Sequence, residues 1–85
     1  MSEAVEPTTL EALMHYLVTP LVSTPEEIVV TEVSEGDEVK VRLEVAEGDL
    51  GRVIGRQGRT IQGLRALLTL AGKQSGHTAT LDLID

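Results

Sequence analysis

The sequence contains no cysteine, no phenylalanine and no tryptophan, and Tyr16 is its single aromatic residue. Without cysteine there is no disulfide framework, no thiolate nucleophile and no cysteine-ligated zinc or iron–sulfur site. Without aromatics the core falls to Leu, Val, Ile and Ala, which is feasible because apolar residues still fill 41% of the 85 positions. No apolar run approaches the roughly 18 residues of a membrane span. The acidic N-terminus MSEAVEPTT is unlike a signal peptide. With neither an export signal nor cysteine, a cytoplasmic location away from membranes is expected. A chain this short buries only about 60–65% of the surface it exposes when unfolded, which excludes a second core.

One sign of charge is also missing over a long stretch. The net charge of −7 would normally oppose a polyanionic partner. Its distribution points the other way. Residues 1–49 hold twelve acidic and two basic side chains, and Asp82 and Asp85 close the chain. Between them, residues 50–81 carry Arg52, Arg56, Arg59, Arg65 and Lys73 without a single Asp or Glu. Solvated surfaces usually alternate in sign, so this segment is the main lead to function.

Along the chain, residues 1–7 lack periodicity and end in Pro7, as a flexible leader would; residues 8–85 read as one domain. Thr8 starts a capping box with Glu11. Leu10, Leu13, Met14, Leu17 and Val18 then recur at helical spacing, an amphipathic helix of about three turns. Pro20 and Pro25 bracket a loop, and residues 28–34 are β-branched and strand-like. After the turn Glu35-Gly36-Asp37, residues 38–45 alternate, with Val39, Val41, Leu43 and Val45 on one face and Glu38, Lys40, Arg42 and Glu44 on the other. Asp49 is placed to cap a short helix bearing Leu50, Val53 and Ile54. A second helix over residues 59–74 shows a wide apolar stripe of Ile61, Leu64, Leu67, Leu68 and Ala71, ended by Gly72 or Gly76. Residues 78–84 alternate again. The order αββααβ predicts an α+β fold, a three-stranded mixed sheet with its helices packed on one face. If the strands flanking the helix pair are parallel, their connection should be a right-handed crossover.

Gly55-Arg56-Gln57-Gly58 separates the two later helices. Glycine opens backbone angles closed to other residues and lets a ligand approach the main chain. The helix starting at Arg59 aims its free N–H groups and positive dipole end at this turn. Phosphate suits such a site, and Arg56 and Arg59 add full charges. No Lys-Ser/Thr follows either glycine, so a nucleoside triphosphate site is not expected and a phosphodiester backbone fits better. The same glycines also suit a plain tight turn between helices.

The run Val53-Ile54-Gly55-Arg56-Gln57-Gly58-Arg59-Thr60-Ile61-Gln62-Gly63-Leu64-Arg65 resembles the signature of KH domains, V-I-G-x-x-G-x-x-I-x-x-[IL]-R, at every fixed position. The element order resembles the type II, prokaryotic KH topology from about residue 8 to 85. A chain consisting of one KH domain resembles the small bacterial KhpA-type RNA-binding proteins. The resemblance implies that Gly55, Arg56, Gln57 and Gly58 clamp the backbone of single-stranded RNA. It also implies that Ile54 and Ile61 lie beneath the bases, with Arg59 beside them. Arg52, Gln62 and Arg65 are further candidates, Arg52 and Arg65 without a settled direction. The same resemblance carries an RNA chaperone or regulatory role, and either a homodimer or a heterodimer with a larger KH-containing partner.

The remaining residues carry less. His15 and His77 lack partners at ligand spacing and read as surface or structural, and no metal or other cofactor is expected. The acid clusters around Glu26-Glu27 and Glu35–Glu38 read as solvated charges that repel phosphate from the wrong face. An enzyme is not expected, because no carboxylate lies near the loop to act as base. On the second helix Gly63, Ala66 and Leu70 fall outside the core stripe, a candidate dimer face. The alternative to RNA binding is a protein-interaction module that keeps the KH fold.

Overall fold

The computed structural model describes residues 9–84. The expected leader, residues 1–7, and Thr8 lie outside them. Helix α1 spans Leu10–Val18 and is capped by Thr9 rather than Thr8: the Thr9 hydroxyl accepts from the Ala12 N–H at 2.9 Å. The expected capping box of Thr8 with Glu11 lies outside the described residues. The Glu11 N–H donates to Oε1 of Glu32 at 3.0 Å, so an acid from a neighbouring strand sits at the positive end of the helix dipole. Met14 and Val18 point into the core.

The loop between Pro20 and Pro25 contains two short 3₁₀ turns, Thr19–Leu21 and Pro25–Glu27. Strand β1, Val29–Glu35, then turns tightly through Gly36 (φ +63°) into strand β2, Glu38–Glu44. The two are antiparallel, with Val30 opposite Leu43 and Glu32 opposite Val41. Strand β3, Thr78–Leu83, pairs with β2 in parallel, Val41 opposite Leu81. The sheet is therefore mixed, in the order β1-β2-β3. Alternation sorts its faces as the sequence implies. Val39, Val41, Leu43, Ala79 and Leu81 are buried, while Glu38, Lys40, Arg42, Glu44 and Asp82 face solvent. On that outer face the Arg42 Nε lies 3.9 Å from Asp82 Oδ2. An exposed pair at that distance adds little stability.

Helix α2, Leu50–Ile54, and helix α3, Arg59–Gln74, connect the two parallel strands. The buried line of α3 is Ile61, Leu64, Leu68 and Gly72, narrower than the expected stripe. Leu67 is not in it: it is 47% exposed. At about 100° per residue, Leu67 falls about 100° from Leu68, beyond the arc that α1 and β3 cover. Nor does Gly72 end the helix. It is buried within it, against β3, where an added Cβ would come within 2.7 Å of the Ala79 Cβ. The chain leaves the helix after Gln74 and reverses at Gly76 (φ +79°).

Candidate nucleic-acid interface

Five residues make α2 too short to persist by its own hydrogen bonds, so its position is set by what its side chains reach. Val53 is fully buried, whereas the next residue, Ile54, is 39% exposed beside the glycine loop. Asp49, at the N-terminal boundary of α2, does not cap the helix with its side chain. Its carboxylate turns back to the Pro20–Pro25 loop. There Oδ1 accepts from the Ser23 N–H at 3.1 Å and the Ser23 hydroxyl at 2.8 Å, and Oδ2 from the Thr24 N–H at 3.1 Å. These bonds, led by that from the Ser23 N–H, hold the Asp49 carboxyl below the usual carboxylate range against the opposing effect of its burial, with Arg52 contributing.

The loop that follows depends on positive backbone angles. Gly55 sits at φ +79°, ψ 174°, and Gly58 at φ +74°, while Gln57 between them takes φ +58°. Gly55 is required twice over. A Cβ there would overlap the Thr60 side chain and approach the Thr60 nitrogen to 2.9 Å. Gly58 has room, its nearest neighbour being Ile61 Cγ2 at 4.0 Å, so only its angle favours glycine. The turn is closed from Gly55 N–H to the Gly51 carbonyl at 2.9 Å and from Gly58 N–H to the Gly55 carbonyl at 3.1 Å. Arg59 opens α3, and its Nη2 reaches back to donate to Gln57 Oε1 at 3.3 Å.

The site therefore presents Arg56, Gln57 and Arg59, all exposed, at the start of a sixteen-residue helix. Among the described residues, no acid lies within ion-pair distance of Arg56, Arg59 or Arg65. An anion meets the exposed charges of Arg56 and Arg59 and a helix N-terminus together. Ile61, expected beneath the bases with Ile54, belongs to the core at 7% exposure. It is buried there and offers little surface. Gln62 and Arg65 are exposed further along α3. Arg52 leans toward Asp49, its Nε 3.9 Å from Oδ1. At about 100° per residue it stands about 200° around α2 from Ile54, on the opposite face of that helix. The expected dimer-face residues Gly63, Ala66 and Leu70 are all exposed, and Leu67 joins them.

The described residues contain no cluster of three His, Asp or Glu side chains able to hold a metal. None of their helices is long and apolar enough to cross a membrane.

A mixed three-stranded sheet in the order αββααβ, with a Gly-x-x-Gly turn between its last two helices, defines a KH domain. Residues 11–83 match the family model for the KhpA/KhpB KH domain. The chain is 38% identical over 76 residues to the RNA-binding protein KhpA of Bacillus subtilis, covering 89% of this chain and 94% of that one. It is 33% identical to KhpA of Chlamydia trachomatis, with 89% and 97% covered, and 34% identical to KhpA of Listeria monocytogenes, with 89% and 100% covered. The chain belongs to the KhpA/KhpB family of KH domains. No solved structure matches it.

Proposed function

We propose that this protein binds single-stranded RNA by holding its phosphate backbone at the Gly55-Arg56-Gln57-Gly58 loop, and that it acts as an RNA chaperone or post-transcriptional regulator rather than an enzyme. The observation that carries this reading is the exposed loop itself. Arg56 within it and Arg59 just after it stand at a helix N-terminus, with no acid paired to either among the described residues. The relatives' names as RNA-binding proteins point the same way. Ile54 offers an aliphatic floor beside the loop. With no aromatic but Tyr16, base stacking on aromatic side chains plays little part. RNA as ligand also carries the cytoplasmic location expected from the sequence.

The test is the double substitution Arg56→Asp and Gln57→Asp. Both side chains are exposed, so stability should stay within about 0.5 kcal/mol, while single-stranded RNA no longer shifts in a gel. Unchanged affinity in the folded variant overturns the reading.

A protein partner is a second reading, favoured by one observation: Leu67 and Leu70 stand 47% and 54% exposed beside Gly63 and Ala66 on α3. Small residues let a second helix approach closely, and a twofold pairing would bury Leu70 against its mate. A homodimer, or a heterodimer with a larger KH-containing protein, would use this strip. Sedimentation of Leu70→Glu checks it. The expected result is a folded monomer with RNA binding per chain kept; a wild-type monomer at high micromolar concentration removes the homodimer.

A further inference from the structure

Among the described residues one charged side chain is buried, and the proposed RNA contacts leave it unused. Asp49 is 1% exposed. It accepts three hydrogen bonds from Ser23 and Thr24, residues distant in sequence on the Pro20–Pro25 loop. Nothing in catalysis or metal binding asks for it, and it is not a helix cap. What it does control is the mounting of α2. That helix is held by Val53 in the core, by its packing on α3, and by Asp49 just before its first residue. The glycine loop hangs from its other end.

We infer that Asp49 is a positioning residue for RNA: its bonds to Ser23 and Thr24 fix α2 and so hold the Gly55–Gly58 loop ready for phosphate. The inference deepens the RNA reading and rests on it. Its logic is the cost of ordering. A loop already held in its bound geometry loses less freedom when RNA arrives than one that must be assembled on binding. The junction of α2 with the loop is tied to α3 independently, by the close approach of Gly55 to Thr60. Asp49 anchors the other end of α2.

Charge makes the inference testable by sign. Asp49 is an anion one short helix away from the phosphate site, about 9 Å by helical rise. If its only effect on RNA were electrostatic, Asp49→Asn would tighten binding by removing a repulsive charge. Positioning demands the opposite. Both carboxylate oxygens face donors, so an amide NH₂ in that niche meets N–H or O–H groups on one side and releases the loop.

The experiment measures single-stranded RNA affinity, its salt slope, and site-resolved amide exchange on Asp49→Asn and Ser23→Ala. Expected for Asp49→Asn is a roughly fivefold to tenfold loss of affinity with the wild-type salt slope, because the same phosphates are contacted once bound. Exchange should quicken over residues 50–58 while Val41 and Leu43 stay protected. Ser23→Ala removes one donor without changing charge, and should lose about twofold to threefold in the same direction. If Asp49→Asn does not fold, Ser23→Ala decides alone. Affinity unchanged or raised in folded variants, or exchange quickened equally across β2, overturns the inference. The RNA reading stands or falls separately: if Arg56→Asp/Gln57→Asp abolishes binding while the Ser23 and Asp49 variants bind as wild type, only the role of Asp49 is lost.

Discussion

At Gly55 an added methyl group would drive into Thr60, its Cβ reaching 2.7 Å from the Thr60 Cβ at a backbone angle of φ +79°. Gly58 shares the positive angle but not the crowding. Gly55→Ala should therefore cost about 2–4 kcal/mol, from overpacking added to strain, and Gly58→Ala about 1–2 kcal/mol, from the angle alone. Urea unfolding of the two variants checks the order; equal losses would mean that Thr60 yields freely. The need for glycine at both positions was legible in the sequence. The Thr60 contact was not, since it depends on how α3 leaves the loop. Asp49 was misread for a related reason. Local rules place an acid before a short helix as its cap, whereas its partners Ser23 and Thr24 are far away in sequence and leave no local trace. Its protonation has a definite sign. The folded carboxyl titrates below the ordinary value of 3.8, so its contribution is fully present above about pH 4 and fades as pH falls through the folded value. The urea midpoint should drop on acidification below pH ~4, and less steeply in Asp49→Asn; parallel acid profiles for the two proteins would contradict this.

Among the elements, α3 separates what periodicity reveals from what it cannot. Its span over residues 59–74 follows from the spacing of Ile61, Leu64 and Leu68, and the structure keeps those bounds. Which neighbouring residues are covered depends on where α1 and β3 end, and no helical wheel contains that. Leu67 and Leu68 are adjacent in sequence yet 47% and 0% exposed. Leu68→Ala should cost about 2–5 kcal/mol and Leu67→Ala under about 1 kcal/mol, measured by denaturant midpoints. Gly72 is a similar case. Isolated in a helix it looks like a terminator, and only the crossing of β3 at Ala79 explains it. Gly72→Ala gains about 1 kcal/mol of helix propensity, yet should be net destabilising because overpacking against β3 costs about 1–3 kcal/mol. The capping threonine shows the limit at element ends. Thr8 and Thr9 both satisfy the local rule, and it is the Thr9 hydroxyl that takes the Ala12 N–H while Glu32 on β1 takes the Glu11 N–H. Strands were easier: β2 carries charges at each outward position, so its alternation left no ambiguity of face.

Across the whole molecule, charge sorts the surface. The outer face of the sheet carries Glu38, Glu44 and Asp82 against Lys40 and Arg42, while residues 50–81 have no acid at all. On the proposed function, a polyanion approaching this net-negative protein would be drawn to the acid-free segment that carries the loop. Binding should be weak beside that of basic RNA-binding proteins and strongly salt-dependent. If about three to four phosphates are neutralised, log K falls with log[salt] at a slope of about −2 to −3, taking roughly −0.7 per phosphate for single strands. The most direct measurement is that slope for one single-stranded RNA, taken on the wild-type protein and on Arg56→Gln. The phosphate clamp requires a wild-type slope in this range and a reduction of about 0.7 in the variant. A wild-type slope near zero, or identical slopes for the two proteins, would contradict it.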